Sequence, residues 1–212
     1  MGVRNGKMRH SIKPFLAATL AGIFLSFTGC ADASSESSTL APVAASDAAS
    51  WEIQSEVSHI RFSAKQEGEA FSGEFQTFSG TIQFDPTTPE TGLVNISIPL
   101  SSVEAGSRDR NSTLPGKIWF SEKSFPVANF RSNGIAKKGD GFLAKGELTL
   151  KGKTLPIDLP FDLKIDGDLA VMTARVDMDR TLWDVGAAPW NTDEWVSRNV
   201  ALNIQVTAKR LD

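Results

Sequence analysis

The side chains that usually carry chemistry are scarce in this chain. One cysteine, Cys30, and two histidines, His10 and His59, are present, so no internal disulfide, thiolate zinc cluster or catalytic histidine pair can be assembled. Metal binding is left to carboxylates and carbonyls alone. Asp177 and Asp179 alternate along one stretch and share a face, the spacing of paired acid-base carboxylates. Met172, Ala174, Val176 and Met178 take the opposite face, which marks the aspartate side as solvated. Gly139-Asp140-Gly141-Phe142-Leu143-Ala144 is a near match to a dinucleotide fingerprint, but it leads into a strand as a hairpin turn does. No Gly-x-Ser-x-Gly elbow, phosphate-binding loop or His-Glu-x-x-His sequence occurs. The residues argue against an enzyme.

The remaining polar candidates are His59, Arg108, Asp109, Asn111 and Asn191. Arg108 suits a phosphate or carboxylate head group, or a structural acid beside it. His59 suits a quinone or hydroxyl, or a solvated strand position. Trp183, Trp190 and Trp195 crowd residues 181 to 195, where they can stack on a ligand, sit at a membrane interface or pack over the end of the fold.

The elements that must position these residues are strands. Val94, Ile96, Ile98 and Leu100 alternate with polar or small neighbours, as do Leu148 and Leu150. Leu155 to Ile165, Ala170 to Met178 and Val200 to Ala208 do the same, the mark of strands with one apolar face. Breaks at Asp85-Pro86, Lys138-Gly139-Asp140-Gly141, Lys151-Gly152-Lys153 and Asp166-Gly167-Asp168 read as turns. Short turns join strands antiparallel, and one apolar face per strand favours a barrel curled around its own interior. The alternative, an immunoglobulin-like sandwich, lacks its Cys and Trp landmarks. Residues 101 to 124 and 181 to 195 do not alternate and are expected at a mouth or over an end of the barrel.

In a chain of 212 residues, 41% hydrophobic and 22% charged, one globular domain with extra segments is expected. Arg4, Lys7, Arg9 and Lys13 precede any acid. The other 18 basic residues face 25 acidic ones, a net −7 without the basic footprint of a nucleic-acid binder. Residues 1–29 read as an export signal, the alternative being an N-terminal membrane anchor that is never cleaved; the apolar run, Phe15 to Phe27, reaches only about 20 Å, short of the roughly 30 Å hydrocarbon core. Residues 31–50, rich in Ala and Ser, read as a flexible tether with a reach of about 25 Å. The folded domain is expected over 51–212.

Phe27-Thr28-Gly29-Cys30 resembles a bacterial lipoprotein signal, which implies a lipidated Cys30 at the mature N-terminus, on the periplasmic side of the cell envelope. Ala31 after the cysteine resembles an outer-membrane address. The domain itself resembles the YceI-like family, also called polyisoprenoid-binding proteins. The resemblance is carried by Trp51-Glu52-Ile53, Ser58-His59-Ile60-Arg61-Phe62 and Gly73-Glu74-Phe75-Gln76-Thr77-Phe78-Ser79-Gly80-Thr81-Ile82-Gln83-Phe84-Asp85. It continues through Arg108-Asp109, Trp119-Phe120, Phe125-Pro126-Val127-Ala128-Asn129-Phe130-Arg131-Ser132 and Gly146-Glu147-Leu148-Thr149-Leu150-Lys151-Gly152-Lys153-Thr154-Leu155-Pro156. Asn111 stands where members often carry His, and Phe125-Pro126 where they carry Tyr-Pro.

This likeness implies an extended eight-stranded antiparallel lipocalin-like barrel, all-β with short helical excursions, holding an isoprenoid, quinone or other amphiphilic lipid as ligand, with no cofactor. Family members occur beside membrane cytochromes, so an electron-transfer partner is a further expectation by analogy. The residues expected to face the interior are Phe71, Phe75, Phe78, Phe84, Ile96 and Ile98, followed by Trp119, Phe130, Leu148, Leu150, Ile157 and Leu159. Arg108, Asn111 and His59 are the candidates for a polar head. The sequence leaves one alternative open: a non-enzymatic envelope stress or interaction protein whose barrel is filled by its own side chains.

Overall fold

Period-two alternation becomes sheet wherever it occurs, and the sheet closes on itself. The structure, a computed structural model, describes residues 48–211. The signal segment, Cys30 and nearly all of the 31–50 tether lie outside them. The strands in chain order are β1 (Ser50–Ile53), β2 (His59–Gln66), β3 (Glu69–Phe75), β4 (Ser79–Gln83), β5 (Leu93–Pro99) and β6 (Val103–Glu104). After the short helix α1 (Arg108–Thr113) come β7 (Val127–Lys138), β8 (Gly141–Leu150), β9 (Lys153–Asp166), β10 (Leu169–Asp179) and β11 (Asn199–Arg210). Eight strands form a closed antiparallel ring in the order β1-β4-β5-β7-β8-β9-β10-β11, with β11 returning to β1. Strands β2, β3 and β6 extend the sheet as a flap hydrogen-bonded to β11.

Exposed side chains on the ring's outer face include Lys145, Glu147, Asp158, Lys164, Arg175 and Asn203. The inner positions between them are apolar. This is the reverse of a transmembrane barrel, whose apolar band faces outward.

Ring closure depends on a change of partner along β11. Its first half pairs with β2, from Ala201 opposite Ser63 to Gln205 opposite His59. Its last residues pair with β1, from Ala208 opposite Ile53 to Arg210 opposite Trp51. Thr207 falls between the two ladders. Its carbonyl accepts from the Gln54 N–H at 2.8 Å, and its N–H donates to the buried Ser58 hydroxyl at 3.0 Å. That hydroxyl donates in turn to the Gln54 carbonyl at 2.7 Å. A side chain thus replaces the missing strand at the junction, as the cost of orphaned buried backbone groups requires.

A second irregularity decides which residues point inward. The β7–β8 register slips between Ser132 and Gly134, a bulge that inverts the alternation of the rest of β7. Phe130 precedes the bulge on the inner face, and Ile135 follows it there. Ser132 at the bulge is buried, and its Oγ accepts the Val94 N–H at 2.8 Å.

One end of the barrel is capped. The connections through residues 100–126 and 180–198 bury Leu100, Val103, Phe120, Trp183 and Val185 against Leu148, Leu150 and Met178. The Trp183 indole N–H donates to the Leu148 carbonyl at 2.9 Å. Arg180, only 4% exposed, organises the last connection. Its guanidinium donates to the carbonyls of Ser197 (3.0 Å), Trp190 (2.6 Å) and Val196 (2.8 Å) and also to those of Val185 and Gly186. The Trp119 ring lies 5.2 Å away. The donors of a planar fork are matched to carbonyls that would otherwise be orphaned. Burial pushes the Arg180 pKa down, partly offset by Asp179 and Asp193.

Two stability outcomes follow. Ser58→Ala orphans the Thr207 N–H and is expected to cost about 1–3 kcal/mol in chemical denaturation. Arg180→Lys keeps the charge but cannot serve this set of carbonyls, and is expected to cost about 3 kcal/mol with earlier proteolysis between residues 185 and 197.

Candidate functional site

Every strand of the ring sends side chains to one interior cavity of about 150 Å³. Trp51 of β1, Ile82 of β4 and Val94, Ile96 and Ile98 of β5 form one wall. Phe130 and Ile135 of β7 and Ala144 and Leu148 of β8 form the next, followed by Ile157 to Leu163 of β9, Met172 and Val176 of β10, and Leu202 to Ala208 of β11. Phe78 and Phe84, at either end of β4, complete it. All the lining residues are apolar. The lining runs from Ile157 to Leu163 and from Leu202 to Ala208, about 20 Å of strand at 3.3 Å per residue.

Sequence dictates this shape locally. Gly146 sits between the inward Ala144 and Leu148, and a Cβ there would come within 2.7 Å of the Phe130 ring. Glycine leaves that ring its place at the cavity wall. At the opposite end from the cap, Phe84, Phe142 and Phe161 contact one another, with centroids 5.2 to 6.0 Å apart. The Trp51 indole N–H donates to the Phe84 carbonyl at 2.9 Å, so this tryptophan offers the cavity its ring and no polar atom. A cavity of about 150 Å³ walled only by apolar groups stays dry and accommodates a six-carbon ring or its equivalent.

Of the interior set expected from sequence, Phe78, Phe84, Ile96, Ile98, Phe130, Leu148, Ile157 and Leu159 line the cavity. Phe71, Phe75, Trp119 and Leu150 do not. They pack in or against the capping core, which takes the space at that end. The sequence reading missed Ile135, because unbroken alternation from Phe130 puts even-numbered residues inside. It also left out Trp51, Ile60 and the inner faces of β10 and β11, although alternation marks the latter two plainly.

The polar candidates lie off the cavity. Arg108 is exposed at the start of α1, as is Asp109 beside it. Asn111 secures the loop before the helix: it accepts the Ala105 N–H at 2.7 Å and donates to Glu104. Its neighbour Arg110 is the arginine engaged with the fold, donating to the Ala105 carbonyl at 2.7 Å and lying 4.6 Å from the Phe71 ring. Asn191 is exposed and faces a polar surface depression beside Arg198. His59 points outward from β2, where its Nδ1 is 2.7 Å from Glu74 Oε1, while Arg61 Nε donates to Glu74 Oε2 at 3.1 Å. None of the three candidates for a polar head reaches the interior. Among the described residues, no group of three or more His, Cys, Asp or Glu side chains is placed to hold a metal ion.

A closed antiparallel barrel that is apolar inside, polar outside and hollow defines the lipocalin-like class of cavity-bearing barrels. Residues 51–208 match the YceI-like domain, and the chain belongs to that family. It is similar to a UPF0312 protein of Yersinia pestis, with 36% identity over 124 residues that are 57% of this chain and 65% of that protein. A UPF0312 protein of Photorhabdus laumondii is 33% identical over 95 residues, which are 45% of this chain and 50% of its own length. The chain thus spans between half and two thirds of these relatives. Among solved structures, Burkholderia cenocepacia BcnA superposes with a TM-score of 0.72 at 26% identity, covering 74% of this chain and all of its own. A polyisoprenoid binding domain from Saccharophagus degradans, described as implicated in plant cell wall breakdown, gives 0.59 at 15% identity, covering 77% and 99%. At that identity the likeness is one of fold.

The Glu74 cluster generates a pH expectation. Desolvation raises the Glu74 pKa, but hydrogen bonds from His59 and Arg61 outweigh it and hold the group below its ordinary value. A depressed folded-state pKa contributes stability that is present above the unfolded value, about 4.3, and lost as pH falls through the folded one. Glu74→Gln is therefore expected to flatten the loss of stability on acidification below about pH 4.5, measured as the denaturation midpoint against pH.

Proposed function

We propose that this protein carries an amphiphilic lipid with a long apolar chain, an isoprenoid or quinone in class, and that it does so in the bacterial cell envelope, anchored through a lipidated Cys30. The observation that carries the reading is the cavity, to which every strand of the ring contributes and no polar side chain does. The polyisoprenoid-binding description of the Saccharophagus neighbour agrees with it.

Such an interior selects chain rather than head. Each methylene that enters contributes about 0.8 kcal/mol, whereas a carbonyl or phosphate drawn inside would find no hydrogen-bond donor and would cost several times that. The head group therefore stays at the rim. A cavity of about 150 Å³ receives the leading unit of the chain. Further units are admitted along the 157–163 and 202–208 walls as Met172, Leu202 and Ile204 change rotamer, methionine being the most adaptable of these. Outward handover to an electron-transfer partner fits a quinone cargo, and outer-membrane sorting fits Ala31.

Native mass spectrometry of the protein purified from its own envelope, with solvent extraction of its cargo, tests the proposal. A stoichiometric long-chain isoprenoid or quinone is expected, and Ile98→Trp or Ile157→Trp is expected to keep the fold by circular dichroism while losing the cargo. A clean apo mass that does not change on incubation with isoprenoid or quinone lipids would overturn the carrier reading and favour an envelope interaction protein.

A further inference from the structure

The two ends of the barrel both expose apolar side chains. At the end away from the cap, Leu169 follows the turn Asp166-Gly167-Asp168 and stands opposite Lys209, so charges of both signs surround it. At the capped end the equivalent turn, between β8 and β9, is Lys151-Gly152-Lys153. Three exposed apolar residues, two from the connection before β7 and one from the connection before β11, gather around it. Lys151 Nζ donates to the Ile118 carbonyl at 2.8 Å and to the Asp184 carbonyl at 2.7 Å. Lys153 Nζ pairs with Asp184 Oδ2 at 2.6 Å and reaches the Leu182 carbonyl at 3.4 Å. Phe125 lies against Gly152 so closely that a Cβ there would stand 2.6 Å from its ring. Ile118, Phe125 and Leu182 are nonetheless 42%, 38% and 55% exposed.

Lys117 and Lys123 flank this patch, both exposed and neither in an ion pair. The nearby acids are Asp184, committed to Lys153, and Glu122, so the patch is net positive on a domain that is net negative. Protein interfaces are depleted in lysine, whereas aliphatic and aromatic tips set among lysines are the composition of surfaces that lie on anionic lipid.

We propose that the capped end of the barrel docks on an anionic bilayer. Ile118, Phe125 and Leu182 enter the headgroup layer, and Lys117 and Lys123 face lipid phosphates. The surface stands apart from the carrier reading, since a barrel without cargo would dock equally well.

Cys30 is the one cysteine, so the full chain with Cys30→Ser and Leu182→Cys takes a single environment-sensitive fluorophore. In vesicles of phosphatidylglycerol and phosphatidylethanolamine its emission is expected to brighten, shift to the blue and be quenched by brominated acyl chains. The same label at Leu169→Cys is expected to stay in water. Added salt, or replacement of the anionic lipid by phosphatidylcholine, is expected to weaken the response at 182. Lys117→Gln and Lys123→Gln, at exposed positions that leave the fold intact, are each expected to weaken it about fivefold. No response at 182, an equal response at 169 or indifference to lipid charge would overturn the proposal. So would a response at 182 to acidic envelope proteins but not to vesicles. Cargo is read separately by mass, so failure of docking and failure of carriage are told apart.

Discussion

Closure of the ring is the constraint on which everything else here depends. A barrel of eight strands encloses a cavity only if every backbone group around it finds a partner, yet β1 contributes four residues and pairs with β4 at only two positions, Ser50 with Gln83 and Trp51 with Ile82. The long strand β11 makes up the difference by serving two partners in succession. At the point of exchange a serine hydroxyl takes the place of a ladder. Because β2 pairs only with the first half of β11 and stays outside the ring, the sheet gains a flap, and the flap supports the loops that build the cap.

The cap and the cavity are complementary uses of the same apolar alternation. Above Leu148 the inner faces of β8 and β10 meet Trp183, Phe120 and Val185 and form an ordinary packed core. Below it the same faces meet one another across a space that they do not fill. What changes between the two zones is the supply of side chains from connections, not the character of the strands. Arg180 makes this arrangement durable by drawing the carbonyls of one long connection toward a single buried cation.

Much of this was legible in the sequence, because alternation with period two has a direct geometric meaning. The strands β5 and β8 to β11, several of their turns and a barrel follow from it, and so does the apolar character of the interior, whereas the number of strands in the ring was legible only through the family resemblance. Three features did not follow. The bulge in β7 flips the face of Ile135, and its one sign in the sequence, Gly134 inside the strand, does not by itself say which way the following residues turn. The division of aromatic residues between cavity and cap depends on which loop folds over which end, so Phe75 and Trp119 read the same as Phe78 and Phe130. The roles of arginines depend on distant carbonyls and rings: Arg110 and Arg180 are built into the structure, whereas Arg108, singled out by its place in a motif, is exposed.

The position of β1 has a mechanical meaning. The chain enters the described domain at Ala48 and joins the ring at once through its shortest strand. A pull from the preceding residues therefore loads β1 before any other element. It is resisted on one side by two backbone pairings with β4 and on the other by three with β11, with Trp51 anchored to the Phe84 carbonyl and beneath the Arg210 guanidinium. The shortest strand of the ring is thus also the one by which the chain enters it, and because Trp51 is a wall of the cavity as well, a displacement of β1 would move the lining of the interior with it.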